Sequence, residues 1–149
     1  METLHAERLM KLARFLYNVL PPEKFNFGNV LKGRDVPNET FSCGTVGCAI
    51  GWAPVVFPLE LRYVKQSASS TPHVENAEGW VLDVHCCGAS LAVRDFFGIS
   101  EVAAIALFAP GVQMNLDLPV LHSESSAPDV AKNIATFVGR NSTINTSLE

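Results

Sequence analysis

Cys43-Gly44-Thr45-Val46-Gly47-Cys48-Ala49-Ile50-Gly51-Trp52-Ala53 is the stretch on which the fold turns. Small residues dominate it until Trp52. The glycines at its start predict a turn, and the run from about Val46 predicts a short helix. Small side chains let a helix lie close to its neighbours, so this helix is expected at the centre of the core. Pro54 follows too deep for a first turn, and the helix is expected to end or kink there.

Working outward, Leu9, Leu12, Ala13, Leu16 and Val19 recur at helical spacing, which predicts an amphipathic helix over residues 4–19. Pro21-Pro22 stops it. Residues 23–40 read as an ordered loop whose Phe25 and Phe27 tuck back on the core. Residues 59–65 and 80–85 read as strands that pair directly as a hairpin, and the polar stretch 66–79 reads as an exposed loop between them. A helix over 89–97 is expected to close on Gly98. Ser100 caps a second, 101–108, which Pro110-Gly111 ends. Ser126-Ala127-Pro128-Asp129 is a capping box that opens a last helix, with Gly139 closing it. The expectation is an α+β fold: a mostly helical single domain over 1–140 with a small β-hairpin, then a polar tail over 141–149. Leu148-Glu149 resembles a cloning scar and carries no functional weight.

The 149 residues are 48% hydrophobic and 17% charged, enough to bury a core without metal or disulfide. Eleven Lys+Arg against fifteen Asp+Glu leave a net charge of −4, which argues against a partner bound by phosphate neutralisation. Six of the eleven basic residues fall within the first 34, where acidic neighbours dilute them into a solvated face. No stretch is apolar enough to span a membrane, and the N-terminus lacks the pattern of a signal peptide. A cytoplasmic location is the expectation, with Cys43, Cys48, Cys86 and Cys87 reduced. Gly44-x-x-Gly47 lacks the lysine and preceding strand of a phosphate loop, and no cofactor is expected.

Two constellations bear on chemistry. Cys48 is expected near a helix N-terminus, where thiol pKa values fall. His73 and Asp83 follow in chain order. Cys48, His73 and Asp83 in that order are similar to the Cys-His-Asp arrangement of transglutaminase-like and papain-like enzymes. The resemblance implies a thiol hydrolase or acyltransferase with Cys48 as nucleophile, His73 as base and Asp83 orienting it. The competing reading makes Cys43 and Cys48 small buried hydrophobes, and it takes precedence in a Gly/Ala-rich segment. The second constellation is Cys43-x4-Cys48 with His85-Cys86-Cys87. Its spacing is at the edge of the zinc range, and adjacent cysteines on a strand point apart, so no metal is expected. Trp52 and Trp80 are packing residues on the simplest reading. Trp80, following a polar loop, can instead anchor a partner, with His73 and Glu75 beside it.

The CGTxxCxxGWA block, the Phe96-Phe97-Gly98-Ile99-Ser100 helix junction, Leu107-Phe108 and the opening helix followed by Pro21-Pro22-Glu23-Lys24-Phe25-Asn26-Phe27 resemble a group of small uncharacterised proteins of bacteria and their phages. The resemblance spans most of residues 1–108. It implies a cytosolic setting on mobile elements and no catalytic residues. Small proteins of such elements act by occupying a host protein's surface. The function expected is therefore non-enzymatic docking on a protein partner, as an inhibitor of a host defence protein, with the thiol hydrolase as the alternative.

Overall fold

The computed structural model describes residues 1–42, 44–110 and 116–149; Cys43 and Gly111, both part of the sequence reading, lie outside them. Helix α1 (Thr3–Asn18) buries Ala6, Leu9, Met10, Leu12, Ala13 and Leu16 along one face, as their spacing requires, but it ends before Val19, which is exposed and not part of that face. A 3-10 turn at Pro22–Lys24 follows, and Phe27 is buried.

The central helix α2 (Ala49–Val56) begins three residues later than the sequence suggests. Val46–Gly47 is instead a short strand, β2, paired antiparallel with β1 (Leu31–Lys32). Backbone bonding explains the shift. Gly47 C=O accepts from Asn26 N–H at 2.9 Å, and Cys48 N–H donates to Asn29 C=O at 3.0 Å. The groups that would have opened an earlier helix are committed to the 26–32 loop. Helix α2 also runs through Pro54 rather than ending there. In so short a helix the missing N–H removes only one bond. Almost every residue of α2 is buried, and Trp52 donates its indole N–H to Lys24 C=O at 3.0 Å.

The β region departs from a simple hairpin. β3 (Leu61–Val64), β4 (His73–Asn76) and β5 (Val81–Leu82) form an antiparallel sheet in the order β3-β4-β5. The stretch expected as loop therefore supplies the middle strand. Val74 faces inward, is fully buried and stands opposite Tyr63 and Leu82. β6 (Val84–His85) and β7 (Gly88–Ala89) form a second, tight hairpin turning at Cys86-Cys87.

Helix α3 (Leu91–Phe97) starts after that hairpin, with Ser90 accepting from Val93 N–H as its cap. It ends at Gly98 in the left-handed region, φ 61°. Helix α4 (Glu101–Phe108) is capped by Ser100 as expected. Helix α5 (Ala127–Asn141) opens with the full Ser126–Asp129 capping box and continues through Gly139. It packs along α1. The terminal residues fold back on α1, where Arg14 donates to the carbonyls of Asn145 and Ser147. Among the described residues, five helices and three small antiparallel sheets give an α+β fold. No described helix is long and apolar enough to cross a membrane.

Candidate functional site

Three places gather the residues that the sequence singles out. The first is the turn between β4 and β5. The Asn76 side-chain oxygen accepts from the N–H groups of Glu78 at 3.1 Å and Trp80 at 2.9 Å, and Gly79 takes φ 85°. Asn76 N–H in turn donates to Trp80 C=O at 2.9 Å. A side-chain oxygen that binds two following N–H groups fixes a turn as a backbone turn would. Trp80 is thus held in place yet 69% exposed. Helix α3 packs beside β5 and brings up Leu91, which is 63% exposed. Trp80, Val81, Leu91, Ala92 and Asp95 enclose a cleft of about 190 Å³.

A second hollow adjoins it, sharing Asn76, Ala92 and Asp95, and adds Leu59, Glu60 and Glu78. Leu59 is almost wholly exposed. The face is therefore apolar at its middle and acidic at its margin. Glu60, Glu78 and Asp95 make no ion pair among the described residues. The basic residue in the hollow, Arg8, is already engaged: its guanidinium donates to Phe96 C=O at 2.8 Å and lies 4.1 Å from the centre of the Phe96 ring.

His73 and Glu75 lie two residues apart on β4, which puts their side chains on one face. His73 Nε2 is 2.6 Å from Glu75 Oε2, and Arg62 reaches the other Glu75 oxygen at 3.2 Å. The contact with His73 lowers the Glu75 carboxyl below its ordinary range; burial opposes it, and the weaker contact with Arg62 adds to the lowering.

The second place is Cys48, the residue preceding α2. Its sulfur sits where the N–H groups of Ile50 and Gly51 pull the thiol pKa down. Burial outweighs them, Asp83 adds to it, and the thiol is pushed up to about 11. This corrects the expectation that the helix terminus activates the thiol: the same helix end that lowers its pKa also buries it. No hydrogen bond or ion pair joins His73 to Cys48 or to Asp83 among the described residues, and the His73 ring is committed to Glu75. Asp83 is exposed, its N–H bound by the Ser90 hydroxyl at 3.0 Å. Cys48 instead forms one wall of a cavity of about 240 Å³ shared with Phe27, Phe108, His85 and Cys86.

The third place is the β6–β7 turn. Cys86 and Cys87 are exposed, with their sulfurs 3.3 Å apart. The expectation that adjacent cysteines diverge holds for a strand, but these two occupy the turn of a hairpin, where the backbone reverses. Cys87 N–H donates to His85 Nδ1 at 3.1 Å and draws the ring over the turn. Ligand atoms from all three residues lie within 4.8 Å of one another.

Of the residues around the Trp80 cleft, the sequence reading points to Trp80 and misses Leu91 and Asp95. Leu91 follows Ser90 directly, and an apolar side chain in the first turn of a capped helix is the signal that the sequence offers. No family model, curated protein or solved structure matches the chain.

Proposed function

We propose that this protein is a non-enzymatic binding protein that docks on a partner protein through the Trp80 face. The observation that carries the reading is Trp80 itself: a large aromatic side chain left 69% exposed on a turn braced by Asn76, beside an apolar cleft. Tryptophan is the residue most enriched among interface anchors, and a braced anchor loses little entropy on binding. The margin specifies the partner. Glu60, Glu78 and Asp95, which make no ion pair among the described residues, stand around an apolar centre on a chain of net charge −4. They fit a cationic amphipathic segment whose aliphatic or aromatic side chain enters the cleft and whose Lys or Arg side chains meet the acids. The resemblance to small bacterial and phage proteins supports a cytoplasmic setting on a mobile element, with a host defence protein as the surface occupied and inhibited. The buried, protonated Cys48 thiol and the commitment of His73 to Glu75 weigh against the hydrolase alternative.

The test is calorimetric titration with a synthetic Leu/Lys amphipathic helical peptide and its Leu/Glu counterpart. The Lys peptide is expected to bind and the Glu peptide not. Trp80→Ala should weaken binding by about 30-fold or more, the scale of a hot-spot truncation, and raising the salt should weaken it further. Equal binding by both peptides, or by the Trp80→Ala variant, overturns the reading.

A further inference from the structure

Exposed cysteine is unusual, since free Cys is among the most buried residue types. Two in succession at the tip of a hairpin, with a histidine ring drawn over them, require a physical reason. Packing supplies none, because His85, Cys86 and Cys87 are all exposed. From this juxtaposition we propose that His85, Cys86 and Cys87 form a binding site for a thiophilic divalent cation of the zinc class.

The geometry is close to what such an ion needs. Tetrahedral zinc with Zn–S bonds of about 2.3 Å separates two thiolate sulfurs by about 3.8 Å. The sulfurs stand at 3.3 Å, so the turn has only to open by a fraction of an ångström. His85 Nδ1 accepts a hydrogen bond from Cys87 N–H, which makes it the unprotonated ring nitrogen and turns its lone pair toward the dicysteine turn. The ion takes that lone pair in place of the N–H. Two thiol protons leave to solvent, two metal–sulfur bonds form, and nothing is oxidised or reduced. Solvent fills the fourth position, as exposure of the turn allows.

Above Gly88, His85 Nε2 and Glu101 Oε2 stand 3.9 and 3.8 Å from where a Cβ would be, so glycine leaves open space beside the ring, and no ion pair joins the two residues among the described residues. The soft ligand set selects zinc, cadmium or similar ions over magnesium or calcium. The site is independent of the Trp80 face and makes no use of Cys48.

The probe is Cd²⁺ added to fully reduced protein, read by the ultraviolet sulfur-to-cadmium charge-transfer band. The band should saturate at one ion per chain and be displaced by Zn²⁺. Cys86→Ser and Cys87→Ser should each abolish stoichiometric binding, and Cys48→Ser should leave it unchanged. His85→Gln should weaken the affinity. Circular dichroism should show every one of these variants folded without metal. Absence of the band from the wild type, its persistence in Cys86→Ser/Cys87→Ser, an affinity insensitive to His85→Gln, or failure of Zn²⁺ to displace Cd²⁺ overturns the proposal.

Discussion

The carbonyl oxygen of Val30 lies 1.8 Å from where a Cβ on Gly51 would stand, so the loop before β1 rests directly on the backbone of the central helix. Gly47 repeats the contact four residues earlier, its Cβ position 2.4 Å from the same oxygen. Two glycines thus leave a bare track along which residues 30 and 31 pass. Leu31 closes over it, with a side-chain methyl 2.9 Å from either Cβ position. This is what the small residues of the Cys43–Ala53 block accomplish.

Gly51→Ala is the sharpest test of that packing. The added methyl meets a backbone atom, which cannot rotate away as a side chain would. Overpacking of this kind costs about 1–3 kcal/mol, and more where the backbone must move. Gly44→Ala, whose Cβ would stand 3.6 Å from Asp35 Oδ2 in ordinary contact, is the control and should be nearly neutral. Urea denaturation of the two variants measures the difference. Equal midpoints would show that the loop yields freely.

Cys48 makes an alkaline prediction. Its folded pKa is raised to about 11, so between the ordinary thiol value and 11 the folded state holds a proton that the unfolded chain releases. Stability is therefore full below the unfolded value and falls as pH rises toward 11. The rise from an ordinary 9.0 to about 11 is worth at most about 3 kcal/mol. Cys48→Ala should lose stability at pH 7 through the missing packing and show a flatter decline above about pH 9, where the unfolded thiol ionises. In a Cys43→Ser/Cys86→Ser/Cys87→Ser background, which leaves Cys48 as the one thiol, alkylation should be slow in the native protein and rapid in urea. Fast native alkylation at neutral pH would restore the thiol as a candidate nucleophile.

What the sequence discloses depends on how local the cause is. The caps at Ser100 and Ser126 and the stop at Gly98 are side-chain or dihedral events within a few residues, and each falls where expected. Strand β4 is different. His73, Glu75 and Asn76 are polar, and its inward residue is Val74 alone, so its place in the sheet follows from pairing with Tyr63 and Leu82 on either side. The same strand hides the acidic cleft from a sequence reading, because Asn76, Glu78 and Trp80 are brought beside Asp95 by the sheet and not by spacing. The strand ends at His85, as its reading over 80–85 implies; strand geometry would make the side chains of Cys86 and Cys87 diverge, but the turn in which they lie brings their sulfurs together.

Glu75 makes an acidic prediction of the opposite sign. Its carboxyl is held low by His73 and Arg62, so the folded state binds fewer protons than the unfolded one just below the ordinary glutamate value. The stabilisation is present above about pH 4.3 and is lost as pH falls through the lower folded pKa. The melting temperatures of the wild type and Glu75→Gln, followed from about pH 6 to about pH 3, should differ at the upper end and converge at the lower. A constant gap would mean that the loss comes from the shape of the substituted side chain and not from its charge.

Trp80 and Leu82 separate stability from docking within one short segment. They stand two residues apart, yet Trp80 lies on the turn in solvent and Leu82 is 1% exposed beneath the sheet. Leu82→Ala should cost about 2–5 kcal/mol, the range for emptying a buried leucine site. Trp80→Ala should change stability by no more than about 0.5 kcal/mol, as surface substitutions do, because neither of its backbone bonds to Asn76 depends on the indole. The same variant should weaken binding of the Lys peptide by about 30-fold or more. If Trp80→Ala instead unfolds the protein, the indole is a structural cover for the sheet, and the docking surface must be sought elsewhere on the chain.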